Sequence, residues 1–412
     1  MMKSKKYRKQ MISLSFIICY LSFCLALVGC IDFDDATQAI SVKVQVQMPE
    51  ALKGVDVSGR TVTLNLSGQS IIAQTDANGV ASFQNIVPDV YDISTSWKMT
   101  AEEYARLTGE AVTNGKYTVA GTLSTQMLAT EKTLTLSTNV TKDQSMLISK
   151  VYYAGSKDNN SKNYLAGKYI ELYNNSDEAY DASGLYIALM ESESTIAYTP
   201  GQVKDTIFAK QVFRIPTDKP FIVEPGGSIL LVNSAIDHTN QGPLERNLLD
   251  ADFEAKDQQG KTTNNPDVPA LQLVYCSYKL ITQMNIVQSG PCSVIIFSTS
   301  EDVANWPTVY AYGKTESHQG SLFMKIPTSC VIDGVDILQK KSQTGVAVNS
   351  KRLYDYIDAG YTNINATSGY NGEVVYRKVE STAADGRKIL MDTNNSQNDF
   401  GVTTDINPRE YK

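Results

Sequence analysis

The chain has 412 residues, with 37 Lys and Arg against 44 Asp and Glu and a formal charge of −7. That acidic balance argues against a nucleic-acid partner, because phosphate binding needs a basic surface. Only two histidines, His238 and His318, accompany the six cysteines, in spacings that make no zinc motif; the length suits two or three domains and is ample for a sizeable core.

The N-terminus carries Lys3, Lys5, Lys6, Arg8 and Lys9, then an apolar run from Met11 to Leu27 and a small residue, Gly29. A basic start, a short apolar stretch and a small residue at the end make a secretory signal. Leu27-Val28-Gly29-Cys30 resembles the lipobox of bacterial lipoproteins, which implies cleavage between Gly29 and Cys30 and diacylglycerol on the Cys30 thiol. The other reading is an uncleaved membrane span, since the run approaches the required length. On the lipobox reading, residues 1–29 are a signal peptide and 30–39 an acidic linker, and the mature chain keeps 32 basic against 44 acidic residues. Asp32, Asp34 and Asp35 resemble the surface-export signal of Bacteroidetes lipoproteins, which implies a lipid-anchored protein of the outer membrane, facing outward.

Residues 40–145 form the first predicted domain. Val42, Val44, Val46 and Met48 alternate with polar residues, as do Val62, Leu64 and Leu66, the period of half-buried strands. Thr75-Asp76-Ala77-Asn78-Gly79 supplies a turn, Val80 to Phe83 restarts a strand, and Val87-Pro88-Asp89-Val90-Tyr91 is a second turn. These segments resemble the prealbumin-like, or carboxypeptidase regulatory-like, sandwich, with Asp89 where that family prefers glycine. Residues 98–130, with a short helix at Ala101 to Leu107, read as an insertion before a closing strand from Thr133 to Val140.

Residues 146–412 form the second. Ile148-Ser149-Lys150-Val151, Tyr169-Ile170-Glu171-Leu172, Ser183-Gly184, Pro225-Gly226-Gly227-Ser228 and Asp392 to Phe400 occur in order and resemble a lamin-tail, immunoglobulin-like sandwich. Residues 236–290 have no counterpart in that pattern and read as an insertion in which an individual function could reside. The fold class is all-β: a lipidated N-terminus, a small prealbumin-like sandwich and a larger lamin-tail-like one. The arrangement resembles a Bacteroides surface lipoprotein family with a domain of unknown function, and the resemblance implies no activity.

No motif for a nucleophilic triad, phosphate loop or dinucleotide fold is present, so no catalytic residue is assigned. Glu171, Asp333 and Asp336 are the acidic residues on which a glycan-directed hydrolase would have to rest. Asp392, Asn394, Asn395 and Asp399 place four oxygen donors within eight residues, the best candidate ion site, for calcium, although the loop lacks the glycine and glutamate of the usual pattern and reads first as a hydrogen-bonded turn before the last strand, with Phe400 in the core; Asp76 and Asn78 offer oxygen ligands too, but turn chemistry explains both without a metal. Cys276 and Cys292 form the preferred disulfide among three cysteines beyond Cys30, with buried thiols the alternative. Tyr152, Tyr153, Tyr169, Tyr173, Tyr180 and Tyr186 cluster at the opening of the second domain, and strand alternation should bury half of them. The expected function is non-catalytic binding or scaffolding at the cell surface, with a glycan or an outer-membrane receptor of a nutrient import system as partner; a structural spacer or adhesin is the third reading.

Overall fold

The computed structural model describes residues 38–66, 69–110, 116–193, 198, 203–278, 280–311, 321–341 and 351–412. Two β-sandwiches follow one another along the chain, meeting between residues 142 and 146.

The first sandwich packs a three-stranded sheet on a five-stranded one. Strand β1 (Ile40–Gln47) pairs antiparallel with β4 (Val80–Ile86) and parallel with β7 (Lys132–Ser137). The second sheet has the order β3, β2, β5, β6, β8, with β2 at Thr61–Leu66, β3 at Gln69–Gln74, β5 at Asp89–Thr100, β6 at Lys116–Leu128 and β8 at Asn139–Lys142. The alternation places Val42, Val44, Val62, Leu64, Tyr91 and Ile93 in one core cluster, the burial that drives the sheets together. Asp76 closes its turn by accepting from the amides of Asn78 (2.8 Å) and Val80 (2.9 Å). Gly79 is required there: its φ is +75° and a Cβ would lie 2.4 Å from Val57. Tyr91 donates its hydroxyl to the Val87 carbonyl at 2.9 Å, tying down the turn that carries Asp89.

Residues 98–130 are not an insertion. They hold most of β6 and the end of β5, which pair along nearly their whole lengths, and the helix Ala101–Thr108 merely bridges them. Thr100 caps that helix by accepting from the Glu103 amide, and Gly109 ends it in the left-handed conformation. The expected closing strand is two strands: the chain changes sheets at Thr138, whose amide donates to the Gln47 carbonyl at 2.9 Å.

In the second sandwich a six-stranded sheet runs Phe253–Glu254, Ser228–Val232, Tyr169–Asn174, β9 (Met146–Tyr152), Val374–Arg377, Phe400–Thr403. Facing it, a seven-stranded sheet runs Thr308–Tyr310, Leu322–Pro327, Thr206–Arg214, Tyr186–Met190, Val294–Phe297, Val331–Val335, with Gln272–Cys276 also paired to Thr206–Arg214. The central strands are buried on both faces: every residue of Met146–Tyr152, Tyr169–Asn174 and Tyr186–Met190 is buried. Tyr152, Tyr153, Tyr169, Tyr173 and Tyr186 are accordingly all buried and Tyr180 half-buried. The expected half-burial fails because an outer layer covers each sheet. Leu353 and Ile357 lie over Tyr186, Ala188 and Phe297, and the C-terminal Tyr411 and Leu390 lie over Leu147 and Tyr173.

Residues 236–290 belong to this architecture rather than projecting from it. They supply two strands, and Leu248, Phe253, Ala255, Val268, Leu271, Met284 and Ile286 enter the main core.

Candidate functional site

The acidic residues singled out in the sequence gather at three buried places in the second domain. At the first, Arg377 ends its strand with its guanidinium under the 391–399 turn. Its Nη2 donates to both oxygens of Asp333 at 2.9 and 3.1 Å, its Nη1 to Asp392 at 3.1 Å, and Asp399 lies at 3.5 Å. Its remaining donors go to the carbonyls of Ile148 (3.1 Å) and Met391 (3.0 Å), and its face lies 4.8 Å from the Phe400 ring centroid. A planar five-donor fork suits such a site as a lysine would not.

Three carboxylates around one buried cation leave an excess of negative charge. Burial pushes Asp333 up to about 6 and Asp399 up to about 7, with Arg377 opposing the rise and Asp392 adding to it. Burial also works against the charge of Arg377, but Asp333, Asp392 and Asp399 outweigh it and hold the guanidinium protonated.

At the second place Asp336 accepts from Ser293 Oγ (2.6 Å) and from the amides of Arg352 (2.9 Å) and Leu353 (3.1 Å). Asp358, which sequence reasoning missed, accepts from the amides of Asp336 (2.7 Å) and Ser396 (2.8 Å) and from Ser396 Oγ (2.6 Å). Burial pushes it up to about 6, against the pull of Lys351. At the third place Glu171 pairs with Lys150 at 2.9 Å, both fully buried, and accepts from the Arg409 amide (2.9 Å) and the Tyr411 hydroxyl. Burial lowers Lys150 despite Glu171.

Asp392, Asn394, Asn395 and Asp399 line one small cavity, which the Arg377 side chain also lines. The two aspartates face Arg377, whose charge stands where a cation would. The two amides turn outward to the first domain, Asn394 Nδ2 to Thr141 Oγ1 (2.7 Å) and Asn395 Nδ2 to Thr122 Oγ1 (2.9 Å). Gln397 Nε2 reaches Asp92 (2.8 Å), and Lys98 Nζ reaches the Asp392 carbonyl (2.8 Å). The proposed calcium loop is thus a joint between the sandwiches. No cluster of three or more His, Cys, Asp or Glu side chains with metal-ligand geometry occurs among the described residues.

The Cys276–Cys292 pairing is not formed: Cys276, Cys292 and Cys330 are all free thiols. Cys276 Sγ is turned to the carbonyls of Tyr278 (3.0 Å) and Ile281 (3.2 Å), while Cys292 is buried in the main core, where burial pushes its thiol up to about 12. A thiol buried like that of Cys292 is inert.

His238 is buried: Nε2 lies 2.9 Å from the Ser234 carbonyl and Nδ1 2.6 Å from the Tyr164 hydroxyl. Glu245 lies close by, taking both the Tyr152 hydroxyl (2.8 Å) and Ser156 Oγ (2.5 Å). The sequence held no signal for this group, because its members are remote in sequence and met only through residues 236–290. Gly29, Cys30, Asp32, Asp34, Asp35 and His318 lie outside the described residues. An open surface cleft of about 280 Å³ is lined by Asn247, Leu249, Asp250, Asn407 and Pro408.

These features define a two-domain, all-β protein whose larger sandwich is closed around buried ion pairs. Residues 224–406 match the family model described as protein of unknown function, DUF4876. The chain is similar in fold to a DUF4876 family protein from Bacteroides thetaiotaomicron, with a TM-score of 0.54 and 20% identity over 88% of this chain and 94% of that one. More distant likenesses are to fervidolysin, a keratinolytic enzyme from Fervidobacterium pennivorans related to subtilisin, at TM-score 0.18 and 14% identity over 47% of this chain and 30% of that one. A further one is to the major pilin subunit of Bacillus cereus, at TM-score 0.15 and 12% identity over 77% of this chain and 98% of that one. Scores this low carry no argument in either direction. Comparison with curated proteins returned no match.

Proposed function

We propose that this protein is a non-catalytic binding or scaffold protein, held by lipid on Cys30 at the outer face of the outer membrane, where it serves a glycan or a receptor of a nutrient import system. The observation that supports the non-catalytic part is the engagement of the acidic residues. Glu171, Asp333 and Asp336 are each buried and each saturated by internal donors. A hydrolytic acid–base pair needs two carboxyl groups facing a common substrate space. The anchoring part rests on the Leu27 to Cys30 resemblance and on the acidic stretch after it.

Three experiments test the reading. Cys30→Ala should abolish lipid labelling and membrane retention; label retained by the variant would refute the anchor. Replacing Asp32, Asp34 and Asp35 by Ala should leave the protein anchored but shielded from protease added to intact cells. The purified protein should bind in a glycan screen without turnover in a hydrolase panel. Robust hydrolysis lost on substituting Glu171, Asp333 or Asp336 by variants that still fold would replace this reading with that of an enzyme.

A further inference from the structure

Asn247, Leu249 and Asp250, from the segment that completes the core, and Asn407 and Pro408, near the C-terminus, line the open cleft of about 280 Å³. Both stretches are pinned from below, because Leu248 and Ile406 enter the main core beside them. Arg409 ties one stretch to the other by donating to Asp250 Oδ2 (3.0 Å) and to the Asp250 carbonyl (2.9 Å). Three planar side chains of the lining are each held by one atom and leave the other open. Asn247 Oδ1 accepts from the Leu249 amide (3.0 Å), Asp250 Oδ2 accepts from Arg409, and Asn407 Nδ2 donates to Glu410 (3.0 Å). Those bonds fix which end of each amide is oxygen and which is nitrogen. Among the described residues nothing bonds the Asn247 Nδ2 donor, the Asp250 Oδ1 acceptor or the Asn407 Oδ1 acceptor. Beside them lie the Leu249 side chain, 53% exposed, and the Pro408 ring.

We propose that this cleft binds a short neutral saccharide; the proposal rests on the glycan-binding reading above and gives it a site. An anion is disfavoured, because no lining residue is cationic and the five N–H groups of the nearby Arg409 are all engaged by Asp250, Asp252 and Ser228. The Asp250 carboxylate adds repulsion. A cation is disfavoured too, since it would meet the Asn247 N–H as an opposing donor and an Asp250 charge already paired with Arg409. A hydroxyl both donates and accepts. Neighbouring hydroxyls of one sugar ring can therefore accept from Asn247 Nδ2 and donate to Asp250 Oδ1 and Asn407 Oδ1, while the C–H face of the ring covers Leu249 and Pro408. A few fixed polar groups beside an apolar surface are what orients a small ligand. The volume of about 280 Å³ lies at the small end of ligand sites and suits a short saccharide rather than a long segment of chain. Because internal bonds hold the three side chains before any ligand arrives, binding adds little ordering cost.

The test uses the full-length protein in a detergent without a sugar headgroup. Saturation-transfer NMR against neutral mono- and disaccharides and the matching uronic acids should show transfer to neutral members, and titration of those that respond gives their affinity. Asn247→Asp keeps the oxygen that closes the turn and replaces the free donor by an acceptor, while Leu249→Ser removes the apolar contact. Both positions are exposed, so both variants should keep the wild-type circular dichroism. Each should weaken the affinity about tenfold, as loss of one good contact does. Saccharide binding unchanged in both variants would overturn the cleft as the site and leave the glycan reading standing. No binding of any saccharide by the wild type would overturn the glycan reading and this proposal with it. Preference for the uronic acids would overturn the ligand class.

Discussion

Arg377 shows what a single residue does in this molecule. Its guanidinium joins strand Val331–Val335, β9 and the 391–399 turn through bonds to Asp333, the Ile148 carbonyl and Asp392. Arg377→Met would leave three buried carboxylates without a cation, and breaking a buried pair from one side typically costs about 3–5 kcal/mol; a fall of that order should be read from chemical denaturation. Gly167 is sensitive for a steric reason. A Cβ there would sit 2.2 Å from Glu245 Oε2, and that carboxylate is already held by Tyr152 and Ser156. Gly167→Ala should therefore destabilise by about 1–3 kcal/mol, measured as a lowered melting temperature.

At the scale of the element, the 391–399 turn has two sides. Its inner side packs carboxylates on Arg377, and its outer side presents Asn394, Asn395 and Gln397 to the first domain. The short helix Ser396–Asp399 within it is capped by Asn395, which accepts from the Gln397 amide at 3.1 Å. Titration of the buried aspartates makes the pH dependence specific. The folded-state values, about 7 for Asp399 and about 6 for Asp333 and Asp358, lie above the ordinary carboxyl value near 4. The folded protein thus binds more protons than the unfolded chain in this window. The contribution of these groups is complete below about pH 4 and is lost as pH rises through about 6 to 7. Stability followed by urea unfolding should accordingly be greater at pH 5.5 than at pH 8; a curve falling on acidification over that interval would contradict the assignment. The alternating strands of the first domain could be read from the sequence because only one face of each is buried. The joint could not, since a hydrogen-bonded turn could be read from these residues but neither Arg377 beneath it nor the first domain above it could.

For the whole molecule, the boundary between residues 142 and 146 separates two cores that share no cluster, while the joint ties their surfaces by a few polar bonds. Residues 146–412 expressed alone should fold cooperatively as a β-rich domain, because each sandwich closes its own core. The fragment should nevertheless melt somewhat below the full chain, since Asn394, Asn395 and Gln397 lose their partners; circular dichroism and calorimetry check both statements, and an unfolded fragment would refute the boundary. The sequence by itself determined the all-β class and the order of the two sandwiches, because strand alternation and turn residues act locally and write their pattern into the chain. It also placed Asp333, Asp392 and Asp399 next to recognisable strands and turns. Only the tertiary structure decided that Glu171 is held by the C-terminal Tyr411, that the acids surround Arg377, that residues 236–290 complete the core and that the tyrosines lie under a second layer. The physical reason is range. Burial on both faces and the pairing of charges arise from contacts between segments remote in sequence, and no local pattern records which segment will cover which face.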